Sequence, residues 1–193
     1  MARIHRIASP ENDSERKAIS ELSRLLPDHY QLYHNFEVTA GGGLPYEYDL
    51  AIATDHALWH VEVKGYHGKI NGDAHRWVFQ NGRSVPSPIA LANKKTKILA
   101  SELRRKIHGQ KIWVDTVILL TDERARAQLR DPQAHRVIHI EDARSYFADP
   151  NNLPHRTQKI KHLHHDITEF FMGVTRPRKR IEVIGLYDVV ERI

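Results

Sequence analysis

Asp49, Glu62 and Lys64 place two carboxylates and an ammonium group within one short stretch, YEYDLAIATDHALWHVEVKGYHG, residues 46–68. Apolar runs at Asp49–Ala53 and Ala57–Val63 flank Thr54-Asp55-His56, the pattern of a β-hairpin with its tip at Asp55 and His56. Folded that way, Thr54 meets Ala57, Ala53 meets Leu58, and Asp49 stands opposite Glu62. Lys64 lies two residues beyond Glu62 and projects from the same face. Carboxylates directly across a strand pair repel each other. A divalent cation between them removes that repulsion, and Mg²⁺ takes such ligands: one or two carboxylates, with waters and phosphate oxygens. The chemistry open to these residues is metal-assisted attack on a phosphodiester. The cation would polarise the phosphate and water, and Lys64 would stabilise charge building on the phosphoryl oxygens.

The competing explanation is a same-face Glu62–Lys64 ion pair on an exposed strand, with Asp49 as an ordinary strand residue. The matching register of Asp49 weighs against it, as do the apolar flanks Leu50, Ile52, Trp59, Val61 and Val63, which suit a sheet buried on its other face. The metal set is therefore Asp49, Glu62 and the backbone carbonyl of Val63. Glu15 and Glu21, in the first predicted helix, are the two candidates to complete it. Tyr66 and His67, just past Lys64, are placed to contact substrate. His60 alternates onto the face of Glu62, either lining the site or sitting as a satisfied sheet histidine.

These residues need a scaffold, and the chain has the signals for one. Apolar Ile19, Leu22, Leu25 and Leu26 recur at helical spacing over 13–26, with Ser14 as cap and Pro27-Asp28 as the stop. Tyr30–Val38 reads as a strand, followed by the flexible turn Ala40–Gly43. The hairpin of the site follows. An inserted hairpin spans His67–Val85, with Asn71-Gly72-Asp73 and Asn81-Gly82 as turns. Pro88–Ile107 is a long helix, Val114–Leu120 a buried strand, Asp122–Leu129 a helix, Arg136–Ile140 a short strand and Asp142–Phe147 a helical turn. The sum is helix, three strands, helix, strand: a mixed sheet flanked by helices.

Composition narrows the classes. At 40% hydrophobic residues the chain can bury a core and is not of the disordered type. No apolar run approaches the ~20 residues of a membrane span, and the N-terminus lacks the apolar core of a signal peptide. The expectation is a cytoplasmic protein with no membrane partner. Cysteine is absent, which excludes disulfides and zinc–thiolate sites. The net charge of +5 is unevenly spread. Lys94, Lys95, Lys97, Arg104, Arg105 and Lys106 share one helix and form a candidate surface for a DNA backbone; a solvated helix face is the alternative. Arg176, Arg178, Lys179 and Arg180 read as a basic linker. His162, His165 and Asp166 have i, i+3, i+4 spacing, but solvated helix surface over Thr157–Met172 is favoured there over metal binding.

Several parts, in order, resemble the nuclease-related domain (NERD) family of the PD-(D/E)XK nuclease-like fold. They are Glu15 in SERKAISEL, the strand aspartate Asp49, EVKGYHGKI from Glu62 to Ile70, the aromatic strand RWVFQNG and the proline-led helix PSPIALANKKTKILASEL. The resemblance covers roughly residues 10–120. Many relatives carry a glutamine before the strand aspartate, where this chain has Tyr48; a later helix often carries another, and Asn93 is nearest here. The resemblance implies an α/β, restriction-endonuclease-like core and a Mg²⁺- or Mn²⁺-dependent endodeoxyribonuclease with catalytic Asp49, Glu62, Lys64 and Glu15. A homodimer is compatible with it. The alternative is a nucleic-acid sensor that binds without cutting. After the basic run comes IEVIGLYDVVERI, which resembles the opening Tyr-x-Val strand of a protein kinase. The expected organisation is a nuclease-like domain over 1–150, a helical extension over 151–174, and a linker with a first kinase strand over 175–193. By resemblance, the setting is anti-phage defence, with the kinase as a partner in the same chain.

Overall fold

The computed structural model describes residues 1–41, 43–107, 110, 112–152, 159–173 and 176–177. In chain order the elements are β1 (Arg3–Arg6), α1 (Asp13–Leu25), β2 (Gln31–Thr39), β3 (Pro45–Ala53), β4 (Leu58–Lys64), β5 (Lys69–Asp73), β6 (Arg76–Phe79) and β7 (Ser84–Pro86). They continue with α2 (Pro88–Lys106), β8 (Val114–Leu120), β9 (Arg126–Arg130), β10 (Val137–His139), α3 (Ala143–Ala148), α4 (His164–Gly173) and β11 (Arg176–Pro177). The main sheet has the order β1-β2-β3-β4-β8-β10, with β11 also pairing β2. β2, β3 and β4 are antiparallel neighbours, whereas β8 lies parallel to β4. A parallel neighbour needs a long crossover, and here α2 supplies it. The fold is the expected mixed α/β sheet between helices.

Strand alternation sends side chains to two cores. Leu50, Ile52, Trp59, Val61 and Val63 pack with Ala18 and Leu22 of α1, Leu26 just past its end, and Phe147 of α3. Tyr33, Phe36, Ala51, Ala53 and Leu58 face Leu99 and Leu103 of α2 and Ile167, Phe170 and Phe171 of α4. Both strands of the site hairpin are thus buried on two faces, and charged side chains within them have been drawn into the interior.

The inserted segment departs from its expected form. β5, β6 and β7 form a meander, and β9 joins it to make a second sheet of order β7-β6-β5-β9. Asn71-Gly72-Asp73 lies inside β5 and is not a turn. The chain reverses one step later, where the Asp73 carboxylate accepts the His75 and Arg76 N–H groups. Asn81-Gly82 is the turn expected, with Gly82 at positive φ. The helix expected over 122–129 is instead a turn at Asp122 followed by strand β9. Ala127 and Leu129, half-buried, alternate with exposed Arg126, Gln128 and Arg130, which is the strand period. A third core joins Ile70 and Trp77 of this sheet to Ile89 and Ala92 of α2 and to Ile118 and Leu120 of β8.

Other corrections are local. The cap of α1 is Asn12, whose side chain accepts the Glu15 N–H, and not Ser14. β1 was not expected; it pairs parallel to β2. α4 begins at His164 after a 3₁₀ turn at Lys161–Leu163, while 153–158 lies outside the described residues. The kinase-like strand Tyr187–Ile193 and most of the basic run also lie outside them. Among the described residues no helix is long and apolar enough to cross a membrane.

Gly72 is the tightest point of the insert. A Cβ there would sit 2.7 Å from both the Arg76 carbonyl oxygen and the Trp77 ring. Gly72→Ala should therefore lower stability by about 1–3 kcal/mol, measured as a reduced urea midpoint. An unchanged midpoint would contradict the close packing of β5 on β6.

Candidate functional site

The site forms where the hairpin ladder gives way. β3 and β4 pair as Ala53↔Leu58, Ile52↔Trp59, Ala51↔His60 and Leu50↔Val61, a register that sets Asp49 level with Glu62. The Val63 N–H donates to Asp49 Oδ2 at 2.8 Å, so a side chain takes the place of a ladder bond. On the other flank, the β2–β3 pairing runs from Gln31↔Ala53 to Thr39↔Pro45 but skips Asn35 and Asp49. Asn35 is the one non-glycine at positive φ among the described residues, at 56°. Asparagine tolerates that conformation better than most residues. The irregularity adds a residue to each strand: Tyr33 and Phe36 share one core, as do Tyr48 and Ala51. Bulges of this kind re-aim side chains beside functional sites.

Glu62 is held by two lysines. Lys64 Nζ lies 2.9 Å from Oε1, and Lys95 Nζ from α2 lies 2.5 Å from Oε2. Lys95 is 7% exposed and lies over the Tyr48 ring at 5.5 Å, and the Tyr48 hydroxyl donates to the Lys95 carbonyl. Below them is His60, fully buried, with Nδ1 2.9 Å from Thr96 Oγ1 and Nε2 3.6 Å from Glu62 Oε2. Burial lowers the His60 pKa, against the pull of Glu62, and so favours the neutral ring. Burial would raise the Glu62 pKa, but His60 Nε2 and the charges of Lys95 and Lys64 outweigh it and hold the carboxyl well below its usual range. Burial would lower the pKa of Lys64, yet Glu62 and Asp49 raise it. Asp49 goes the other way: burial, then the charge of Glu62, push it up to about 6 against the pull of both lysines and the Val63 N–H. Charge in the pocket balances as two carboxylates against two ammonium groups.

Glu15 reaches the same neighbourhood from α1. Its carboxylate accepts from the Asn35 side chain at 2.5 Å, the Glu11 N–H at 2.9 Å and the Asn12 side chain at 2.7 Å. It therefore braces the bulge opposite Asp49. Glu21 lies on the surface of α1 and pairs with Arg24. α1 is seated closely: a Cβ on Gly65 would fall 2.0 Å from Ser14 Oγ.

The remaining expected residues fall into separate places. Lys94, Lys97, Arg104 and Arg105 are exposed along α2, with Lys94 over the Tyr46 ring and Arg105 paired with Glu102. Lys95 belongs to the buried site and not to that basic face, because the helix turns it inward at i, i+1 spacing from Lys94. Tyr66 is half-buried against Phe79, and His67 is exposed. Asn93 donates to Gln133 at 2.8 Å. His164 bonds the Thr54 carbonyl at 2.9 Å and docks α4 on the hairpin tip, while His165 pairs with Glu169 at the surface. Sequence reading missed Asn35 and the burial of Lys95. An asparagine, a poor strand former, in the middle of QLYHNFEVT was the available signal for the first; a lysine among lysines gave none for the second.

The donor set fits a hard cation. Among the described residues no three carboxylate or imidazole groups converge as a metal cluster, so Asp49 and Glu62 would supply two oxygens. The rest would come from a backbone carbonyl, waters and phosphate, as Mg²⁺ commonly accepts. Without a cation, Asp49 is costly. Its pKa is raised in the fold, so the stability it contributes is present below pH 3.8 and is lost as pH rises to about 6. In EDTA, Asp49→Asn should therefore be more stable than wild type by on the order of 1–3 kcal/mol at pH 8, with little gain at pH 4. Thermal melts at the two pH values test this, and an equal effect at both would refute it.

Residues 10–121 match the family described as "Nuclease-related domain". A relative named "Probable kinase PglW", from Streptomyces coelicolor, is 29% identical over 129 residues, covering 64% of this chain but 8% of that protein. No solved structure matches. With more than half of its length matched, and with Glu15, Asp49, Glu62 and Lys64 all inside the matched region, the chain belongs to the nuclease-related domain family.

Proposed function

We propose that this domain is a divalent-metal-dependent nuclease that hydrolyses DNA phosphodiester bonds in the manner of an endonuclease. The observation that carries the reading is Glu62, buried between Lys64 and Lys95, with the carboxylate of Asp49 level with it where the strand ladder opens. Asp49, Glu62 and the Val63 carbonyl would hold Mg²⁺ or Mn²⁺, which when bound supplies Lewis-acid activation of phosphate and water. Lys64 is the more exposed of the two lysines and can turn from Glu62 to the phosphoryl oxygens, stabilising their growing charge. Lys95 keeps Glu62 ionised and fixed. Glu15 holds the Asn35 bulge, and through it the place of Asp49. The exposed basic face of α2 draws in the phosphate backbone without reading sequence.

The similarity to a protein named as a kinase supports a larger setting, in which this domain shares a chain with a protein kinase. Anti-phage defence is the role proposed on the resemblance. One observation favours a second reading, a non-cleaving nucleic-acid sensor that regulates that kinase: both oxygens of Glu62 are already engaged by lysines, so this carboxylate has its counter-charge without metal.

Two measurements separate these readings. Plasmid and single-stranded DNA are incubated with Mg²⁺, Mn²⁺ or EDTA; wild type should cut only with metal, and Lys64→Ala and Glu62→Ala should each lose about 100-fold or more in rate. A folded wild type that cuts neither substrate supports the sensor. Second, Lys95→Met leaves a buried carboxylate short of one counter-charge and should cost about 3 kcal/mol or more. Mg²⁺ should restore more melting temperature to this variant than it adds to wild type. A loss indifferent to metal would count against Glu62 as a ligand.

A further inference from the structure

Two clefts open from Gly65, the residue after Lys64. One is lined by Asp13, Asp122 and Glu123 together with Ser14, Lys17 and Arg124. Its cations are already engaged: Lys17 with Glu123 at 3.3 Å and Arg124 with Asp122 at 3.0 Å. The other, of about 410 Å³, runs between the Gly65–Gly68 segment and the β6–β7 turn, and none of its lining residues is acidic. Exposed Arg83 and His67 stand at its rim, and Arg83 has no acidic partner among the described residues. A polyanion held at Lys64 finds the charges of the first cleft already paired, Asp13 with Arg16 included, and meets Arg83 in the second.

The second cleft is built for more than phosphate. Tyr66 and Phe79 pack edge to face, with ring centroids 4.9 Å apart, and form an aromatic wall. Gln80 lies over Gly68, which turns the chain at φ +70°; its Oε1 is 3.8 Å from where a Cβ would stand. Gln80, Asn81 and Arg83 bring amide and guanidinium groups, which pair with the edges of nucleobases. The volume is at the small end of the ~300–1,000 Å³ of small-ligand sites, the scale of one nucleoside and far below that of a duplex. A stacked, paired base cannot enter it without being flipped out, at a cost of a few kcal/mol.

We infer that this cleft receives one unstacked nucleobase of the strand whose phosphate lies at Lys64, so that the domain selects single-stranded or locally unpaired nucleic acid. The inference rests on the nuclease reading of the Lys64 site for its direction. The aromatic wall stacks the base, the amides and the Arg83 guanidinium meet its edge, and His67 holds the flanking phosphate. Base stacking on aromatic side chains tolerates any sequence, so the selection is for an unpaired base and not for a particular one.

The test is binding to the full chain in EDTA at fixed salt, read by fluorescence anisotropy. The probes are a labelled oligothymidylate, an abasic strand of the same length carrying the same phosphates, and a blunt duplex. The oligothymidylate should bind about tenfold or more tighter than either of the others. Gln80→Ala and Arg83→Ala, both at exposed positions, should shrink its advantage over the abasic strand while leaving the melting temperature unchanged. Equal binding of the base-bearing and abasic strands overturns the proposal, as does an advantage that both variants leave intact. The nuclease reading fails separately: a base preference that follows Gln80 and Arg83, together with no metal-dependent cutting, would keep the cleft and discard the catalysis.

Discussion

The rest of the site depends on one buried carboxylate, that of Glu62, and on the two lysines that hold it. An ionised carboxylate in a sheet covered on both faces is tolerable only when paired. Lys64 pairs it from its own strand, and Lys95 does so from a helix that follows the inserted β5–β7 meander. The second contact ties α2 to β4 by charge as well as by packing. Around it the helix–sheet seam is polar where apolar residues would pack more simply: His60 meets Thr96, Thr96 meets Thr116 at 2.7 Å, and Tyr48 reaches the Lys95 carbonyl. Such a network, once satisfied, specifies one arrangement of helix on sheet. It also gives up stability that Leu or Ile would have supplied, as functional sites commonly do.

The backbone around Asp49 is shaped to the same end. A regular ladder would pair Asp49 with Asn35 on one side and continue past Glu62 on the other. The structure replaces these bonds with side-chain ones, from the Val63 N–H to Asp49 and from the Asn35 amide to Glu15. Glu15, remote in sequence, thereby acts on Asp49 through the strand between them. The close seat of Ser14 on Gly65 fixes α1 at the end of β4, where Lys64 emerges. Three elements meet there: α1, the site hairpin and the inserted sheet, which opens a cleft directly beyond the lysine. A site at such a junction can hold a phosphate at its centre and reach the flanking parts of a strand from the insert.

Much of this was legible beforehand, because it depends on local pattern. The hairpin register follows from two apolar runs around a three-residue tip, and that register sets Asp49 level with Glu62 and Lys64 on the face of Glu62. Helix α2 follows from its leading proline and its periodicity, and β8 from an unbroken apolar run. Where local pattern is ambiguous, the reading failed. Arg126–Arg130 is short and charged, and only pairing with β5 makes it a strand. Asn71-Gly72-Asp73 looks like a turn, yet its glycine is needed because Trp77 crosses against it.

The sequence by itself determined the family, the hairpin, the run of α1, the site strands, α2 and β8, and the placement of Asp49, Glu62 and Lys64 on one strand pair. Those depend on spacing along the chain, which residue types record directly. Only the tertiary structure decided that Lys95 turns inward while Lys94 and Lys97 face water, that Glu15 rather than Glu21 is the buried glutamate, and that Asn35 sits in a left-handed bulge between Glu15 and Asp49. Each of these joins residues 20 or more positions apart. A lysine on a helix is chemically the same whichever way it points; what it does is set by the partner the fold brings to it.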